Sequence, residues 1–186
     1  MTRRARWIGI SAREAASLQS RCVALAEAQG ARSEPIVVWA AGPAHVSLAR
    51  GVDPLWVDQR QHLFILIVPV LHAPGRAGRW AAWALAPAIA ACRSFGVQAY
   101  LEGDDLRAGG RRIAGAACAT IGSCAVIASS LPRALPGERR LAERLRAAIE
   151  AQFDWQFETS WPSAAEREAM AAPVDVQTAV ERFRSY

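Results

Sequence analysis

The chain has 186 residues, 52% of them hydrophobic and 21% charged, which suits one domain with a substantial core and excludes both a disordered chain and two ordinary domains. Its formal net charge is +5 and all 22 basic residues are arginine. Chemistries that need a lysine, such as a phosphate-loop lysine, a Schiff base or a lysine general base, are therefore excluded.

The basic start, Met1 to Trp7, is followed by Ser11, Arg13 and Glu14 where a secretion signal would have an apolar core, so a cytoplasmic location is expected. Ser11 and Glu14 form a capping-box pattern, and Ala15, Leu18, Cys22, Leu25 and Ala26 recur at helical spacing up to Gly30. The first expected element is thus an amphipathic helix over Ala12 to Gln29. Ile36 to Trp39 is a β-branched run, Gly42-Pro43 a turn, and His45 to Ala49 a short strand candidate. Gly51 to His62 is polar and reads as a loop.

Leu63 to Leu71 is the bulkiest apolar run. It is about half the roughly 20 residues that a membrane-spanning helix needs, and it reads as the central strand. Arg79 to Phe95 is an alanine-rich helix that Pro87 should kink or restart. Val97 to Leu101 is a strand, Asp104 to Gly110 a turn region, and Arg111 to Thr120 and Cys124 to Leu131 two antiparallel strands. Pro136-Gly137 precedes a helix over Glu138 to Phe153, and Ser163 with Glu166 caps a last short helix. Strands joined by short turns, without strict βαβ alternation, predict an α+β fold. It should be one domain over residues 1–186, with a mixed, largely antiparallel sheet flanked by helices.

Cys22, Cys92, Cys118 and Cys124 show no metal-binding spacing, and His45, His62 and His72 are scattered. Packed, reduced thiols and no metal site are expected. The arginines run from Arg3 to Arg184 without an aromatic-interleaved stripe, which argues against a nucleic-acid partner and leaves an acidic protein as the natural complement of the charge.

The segment from Phe95 to Ala117 is the most informative. Its Gly-Val pair, strand, Asp104-Asp105-Leu106, glycine turn and Arg111-Arg112-Ile113-Ala114-Gly115 resemble the middle of lipoate-protein ligases and their biotin-ligase and octanoyltransferase relatives. There the pattern is Asn-Asp-Leu, a turn and Arg-Lys-Ile-x-Gly. Trp155 to Glu158 and Trp161-Pro162-Ser163 with Glu166-Arg167 are similar to the end of such domains. The resemblance covers Trp80 to Arg167. It implies a biotin/lipoate ligase-like fold, ATP or AMP with magnesium as cofactor, and a lipoyl or biotinyl carrier domain, acidic in charge, as partner.

On the same resemblance, Arg112 stands where the catalytic cation meets the acyl phosphate, and Gly115 lets the ligand approach the backbone. Asp104, Asp105 and Arg111 fall on the nucleotide side. Such enzymes join an acyl group to AMP as a mixed anhydride and pass it to a carrier lysine, so a cation aimed at developing negative charge is what the chemistry needs. Cys118 and Cys124 are further candidates, as acyl-thioester nucleophiles, and Cys118, six residues beyond Arg112, should share its strand face about 20 Å away.

Two departures bear on activity. Arginine replaces the family's lysine at Arg112, and its planar, permanently charged fork is not equivalent to an ammonium. The family's Arg-Arg-x-x-Gly-Gly-Gly-Ala loop, expected just before the central strand, is met here by Trp56 to His62, which holds no glycine. Three readings stay open: a catalytically degenerate member that binds an acyl-nucleotide or carrier, an active lipoyl, octanoyl or biotinyl ligase or transferase using Arg112, and a non-catalytic partner subunit of another chain.

Overall fold

A computed structural model of the protein describes residues 2–11, 15–41, 44–46, 55–57, 61–132 and 138–172. In chain order these form β1 (Arg3–Ser11), α1 (Ala15–Ala28), β2 (Ile36–Ala41), β3 (Ala44–Val46), β4 (Leu55–Val57), β5 (Gln61–Pro69) and α2 (Trp80–Arg93). There follow β6 (Ala99–Glu102), β7 (Asp105–Ala108), β8 (Arg111–Ile121), β9 (Cys124–Pro132), α3 (Glu138–Phe153), β10 (Trp155–Thr159) and α4 (Ala164–Ala171). Eight strands make one sheet in the order β10-β1-β2-β5-β9-β8-β7-β6, while β3 and β4 pair with each other as a separate ribbon. β1 runs parallel to β10 and β2, and every other neighbouring pair is antiparallel. The expected α+β fold with a mixed, largely antiparallel sheet is the one observed. No described helix is long and apolar enough to cross a membrane.

Leu63 to Val68 are all 0% exposed, because β5 lies at the centre with both faces covered, and a strand buried on both sides reads as an unbroken apolar run. On one face Ile36, Val38, Leu63, Ile65, Ile67 and Val126 pack with Leu18, Cys22 and Leu25 of α1. On the other, Val37, Phe64, Leu66, Val68 and Ile127 pack with Trp80, Ala84, Leu85 and Ala88 of α2 and Leu141, Leu145 and Ile149 of α3. Each of the Val, Leu, Ile and Phe side chains among them stabilises the fold by about 1.5 to 3 kcal/mol on burial.

The helix α2 runs unbroken through Pro87, so of the expected kink or restart the restart does not occur. The proline forgoes one hydrogen bond, and its buried ring takes a place in the core face. Trp80 donates its indole N–H to Pro74 O at 2.8 Å, and Trp83 stacks on Phe153 with ring centroids 4.2 Å apart. Both tryptophans are packing residues. Trp83→Ala removes the stack that joins α2 to α3, and is expected to cost about 3 kcal/mol, seen as a lower urea midpoint.

Three further expectations change. The first element is a strand, not a helix: β1 precedes α1, Ser11 closes it, and the supposed cap at Glu14 lies outside the described residues. The loop read over Gly51 to His62 contains β4, and Gln61 and His62 already belong to β5, where His62 is buried with its ring 5.3 Å from Trp39. The turn region Asp104 to Gly110 holds β7 between two tight turns, made possible by positive φ at Gly103, Gly109 and Gly110. The turns at Gly42-Pro43 and Pro136-Gly137 fall outside the described residues.

Candidate anion-binding site

The β7–β8 hairpin is irregular, and the irregularity builds the site. Leu106 pairs with Ala114 but Arg107 pairs with Arg112, so Ile113 is an extra residue on β8, a β-bulge that reverses which way the preceding side chains face. Asp105 lies opposite Gly115, and Arg107 opposite Arg112. Paired residues share a face and alternate residues along a strand do too, so Asp105, Arg107, Arg112 and Gly115 all point to the side of the sheet that carries α1.

Arg112 Nε meets Asp105 Oδ1 at 2.7 Å. The guanidinium lies over the bare Cα of Gly115: a side chain there would run into Arg112 Nη2 and come within 3.2 Å of Asp105 Oδ1. The Gly115 amide donates to Ser130 Oγ at 3.3 Å, and Ser130 is 1% exposed. Beside this group Arg107 pairs with Glu102 at 2.5 Å and donates to Gly110 O at 3.3 Å. The floor continues along the same face with Ala117, Ala119 and Ala128, and β4 packs against β5, β8 and β9 while β3 packs on α1. The ribbon thus lies over a floor of small side chains that ends at a cation.

Of the residues singled out beforehand, Asp105, Arg112 and Gly115 come together. Arg111 pairs with Ala108 and faces the opposite side. Asp104 is exposed in the turn, and its negative charge is felt by Cys118 on that opposite side, so the two aspartates do not form one carboxylate pair. Among the described residues no group of three or more His, Cys, Asp or Glu gathers to hold a metal.

Cys118 is corrected in placement. It pairs with Ile127 and packs on the α2 face, because the bulge at Ile113 breaks the even count from Arg112. Burial, and then the charge of Asp104, push its thiol up to about 12. Burial likewise raises Cys22 to about 12 and Cys92 and Cys124 to about 11. A thiol so high stays protonated at neutral pH, which leaves little thiolate to act as a nucleophile. At pH 8 the native protein should leave Cys118 unmodified by iodoacetamide over a period in which the urea-unfolded chain is fully alkylated.

Ser130, Glu102 and Arg107 belong to this group and were not singled out from the sequence. Ser129-Ser130, a polar pair inside the apolar strand Ala125 to Leu131, is the signal that could have pointed to the first.

No family profile matches the sequence, and no curated protein does. Solved structures do match. A chain of the bi-partite lipoate protein ligase of Thermoplasma acidophilum superposes with a TM-score of 0.71 at 12% identity, covering 90% of this chain and 91% of that one. Lipoate-protein ligase A bound with ATP gives 0.68 at 12% identity, covering 91% and 93%. The biotin acetyl coenzyme A carboxylase synthetase of Helicobacter pylori, with biotinylated ATP, gives 0.55 at 15% identity, covering 80% and 74%. The chain has the fold of the lipoate- and biotin-protein ligases.

Proposed function

We propose that this protein is a degenerate lipoate/biotin ligase-like domain that binds an acyl-nucleotide, or a lipoyl or biotinyl carrier, and transfers no acyl group by itself. The observation that carries this reading is the Arg112 guanidinium lying over Gly115, at the end of a small-residue floor sheltered by the β3–β4 ribbon. A cation held against a side-chain-free backbone suits an acyl phosphate, whose charge needs a donor fork. The nucleotides bound to proteins of this fold point the same way. The chemistry fails where it needs more than charge: Arg112 stands in the lysine's place, and β4 and β5 leave only Asp58, Gln59 and Arg60 between them, none a glycine able to wrap a phosphate.

The test is thermal unfolding with AMP or a non-hydrolysable acyl-AMP analogue. A ligand at a hundred times its Kd stabilises the native state by about 2.7 kcal/mol, several degrees for a chain of this size. Arg112→Ala should abolish the rise, and an undiminished rise in that variant would move the site elsewhere.

The bi-partite nature of the Thermoplasma ligase, one chain of which this protein matches over nine tenths of both lengths, favours a second reading, in which the domain works as one subunit and a second protein completes it.

A further inference from the structure

We infer that Asp105 is a specificity-determining residue that makes the site select a singly charged acyl phosphate over a doubly charged phosphate monoester. The inference rests on the proposed role of Arg112 as the anion-binding cation, and adds what decides between anions. Asp105 Oδ1 holds Arg112 Nε at 2.7 Å, and its side chain is 30% exposed against 58% for Arg112. The carboxylate is the recessed member of the pair and the guanidinium the reachable one. An anion arriving from solvent therefore meets Arg112 with Asp105 already behind it.

Among the described residues of the β6, β7 and β8 edge, the charges on this face are balanced. Glu102 and Asp105 lie opposite each other across β6 and β7, Glu102 is bound to Arg107 and Asp105 to Arg112. Gly115 contributes no bulk and Ser130 no charge. Two negative groups against two positive ones leave no net charge to spend on a ligand, so each added negative charge is opposed by Asp105 at close range. A mixed acyl–phosphate anhydride of AMP carries one negative charge on its phosphate. AMP, a monoester with a second ionisation near pH 6, carries nearly two at pH 7.5. The arrangement thus favours the acyl-nucleotide and disfavours the AMP left when the acyl group departs.

The probes are AMP and its monomethyl phosphate ester, which share the nucleoside and differ in phosphate charge. Their dissociation constants are measured by calorimetry at pH 7.5. The native protein should bind the methyl ester at least tenfold more tightly than AMP. Asp105→Asn keeps the shape, removes the charge and should bring the two within about threefold, mainly by strengthening AMP. Asp105→Ser should do the same if the asparagine variant proves unstable. Glu158→Gln, an identical charge change at the far edge strand β10, should leave the ratio as it is. If the native protein binds both nucleotides equally, or Asp105→Asn and Asp105→Ser strengthen both to the same extent, the inference is overturned while the anion site stands. If neither nucleotide binds the native protein or the Asp105 variants, the anion site itself fails and this inference with it.

Discussion

Incubated with lipoate, octanoate or biotin, ATP, magnesium and an acceptor domain, the chain alone is expected to leave the acceptor's mass unchanged. Two separate losses underlie this. The lysine ammonium that the resemblance implies is replaced by Arg112, whose Nε is committed to Asp105, so the donor is neither the right shape nor free to follow developing charge. The glycine loop that the resemblance implies just before the central strand is met there by no glycine, and Gly-Gly occurs in this chain only at Gly109-Gly110, in the β7–β8 turn. Removing one preorganised donor to developing charge typically costs about 3 to 4 kcal/mol. Two such losses slow the chemical step by roughly four to six powers of ten. Octanoyl-carrier protein offered as donor should fail as well, because the Cys118 thiol is raised to about 12 and lies on the α2 face. A mass gain at about one turnover per second would overturn the degenerate reading and give Arg112 the lysine's work. Gain that appears only after a second cellular protein is added would establish the two-subunit reading instead.

The same residues show what can be read from a sequence and what cannot. β5, β9 and α3 were legible because their apolar residues recur in runs or at helical spacing that only burial explains. β1 was not, because Arg3, Arg4 and Arg6 interrupt its alternation, and the partner that makes Arg6 acceptable in a covered position, Glu166, lies 160 residues away. At the site, Asp105, Arg112 and Gly115 could be named from local spacing, but not which of them share a face. A period-two count places Arg112 with Cys118, and one extra residue, Ile113, reverses it. Ser130 was hidden because the group it serves, the Gly115 amide, belongs to another strand.

Glu166 supplies the largest expected effect on stability. Its carboxylate accepts from Arg6 Nη1 at 2.6 Å and Nη2 at 2.9 Å, from Gln29 Nε2 at 3.0 Å and from the Ser163 amide at 2.7 Å. Ser163 Oγ in turn accepts from the Glu166 amide at 3.2 Å, completing the expected capping box. Arg6 also donates to Ser160 Oγ and to Trp161 O. One carboxylate thereby fastens α4, eight residues long and too short to be helical alone, to β1 and to the end of α1. The hydrogen bond from Arg6 is the largest influence on Glu166 and outweighs burial, which acts in the opposite sense, so its pKa is lowered from 4.5 to about 2. A carboxylate depressed in the folded state contributes stability that is complete above its unfolded value, near 4.5, and is lost as pH falls towards 2. Allowing for partial solvation of the pair, that contribution is about 2 to 3 kcal/mol. Glu166→Ala, which strands a largely buried guanidinium, should cost about 3 to 5 kcal/mol at pH 7. Glu166→Gln, which keeps the shape and some of the hydrogen bonds, should cost less. Urea midpoints measured from pH 7 to pH 3 should show the gap between native protein and Glu166→Gln narrowing below pH 4.5, because only with Glu166 present does the unfolded chain take up a proton there that the folded state does not. A gap that stays constant to pH 3 would mean that Glu166 acts as a helix cap alone, and that its pairing with Arg6 adds nothing to the fold.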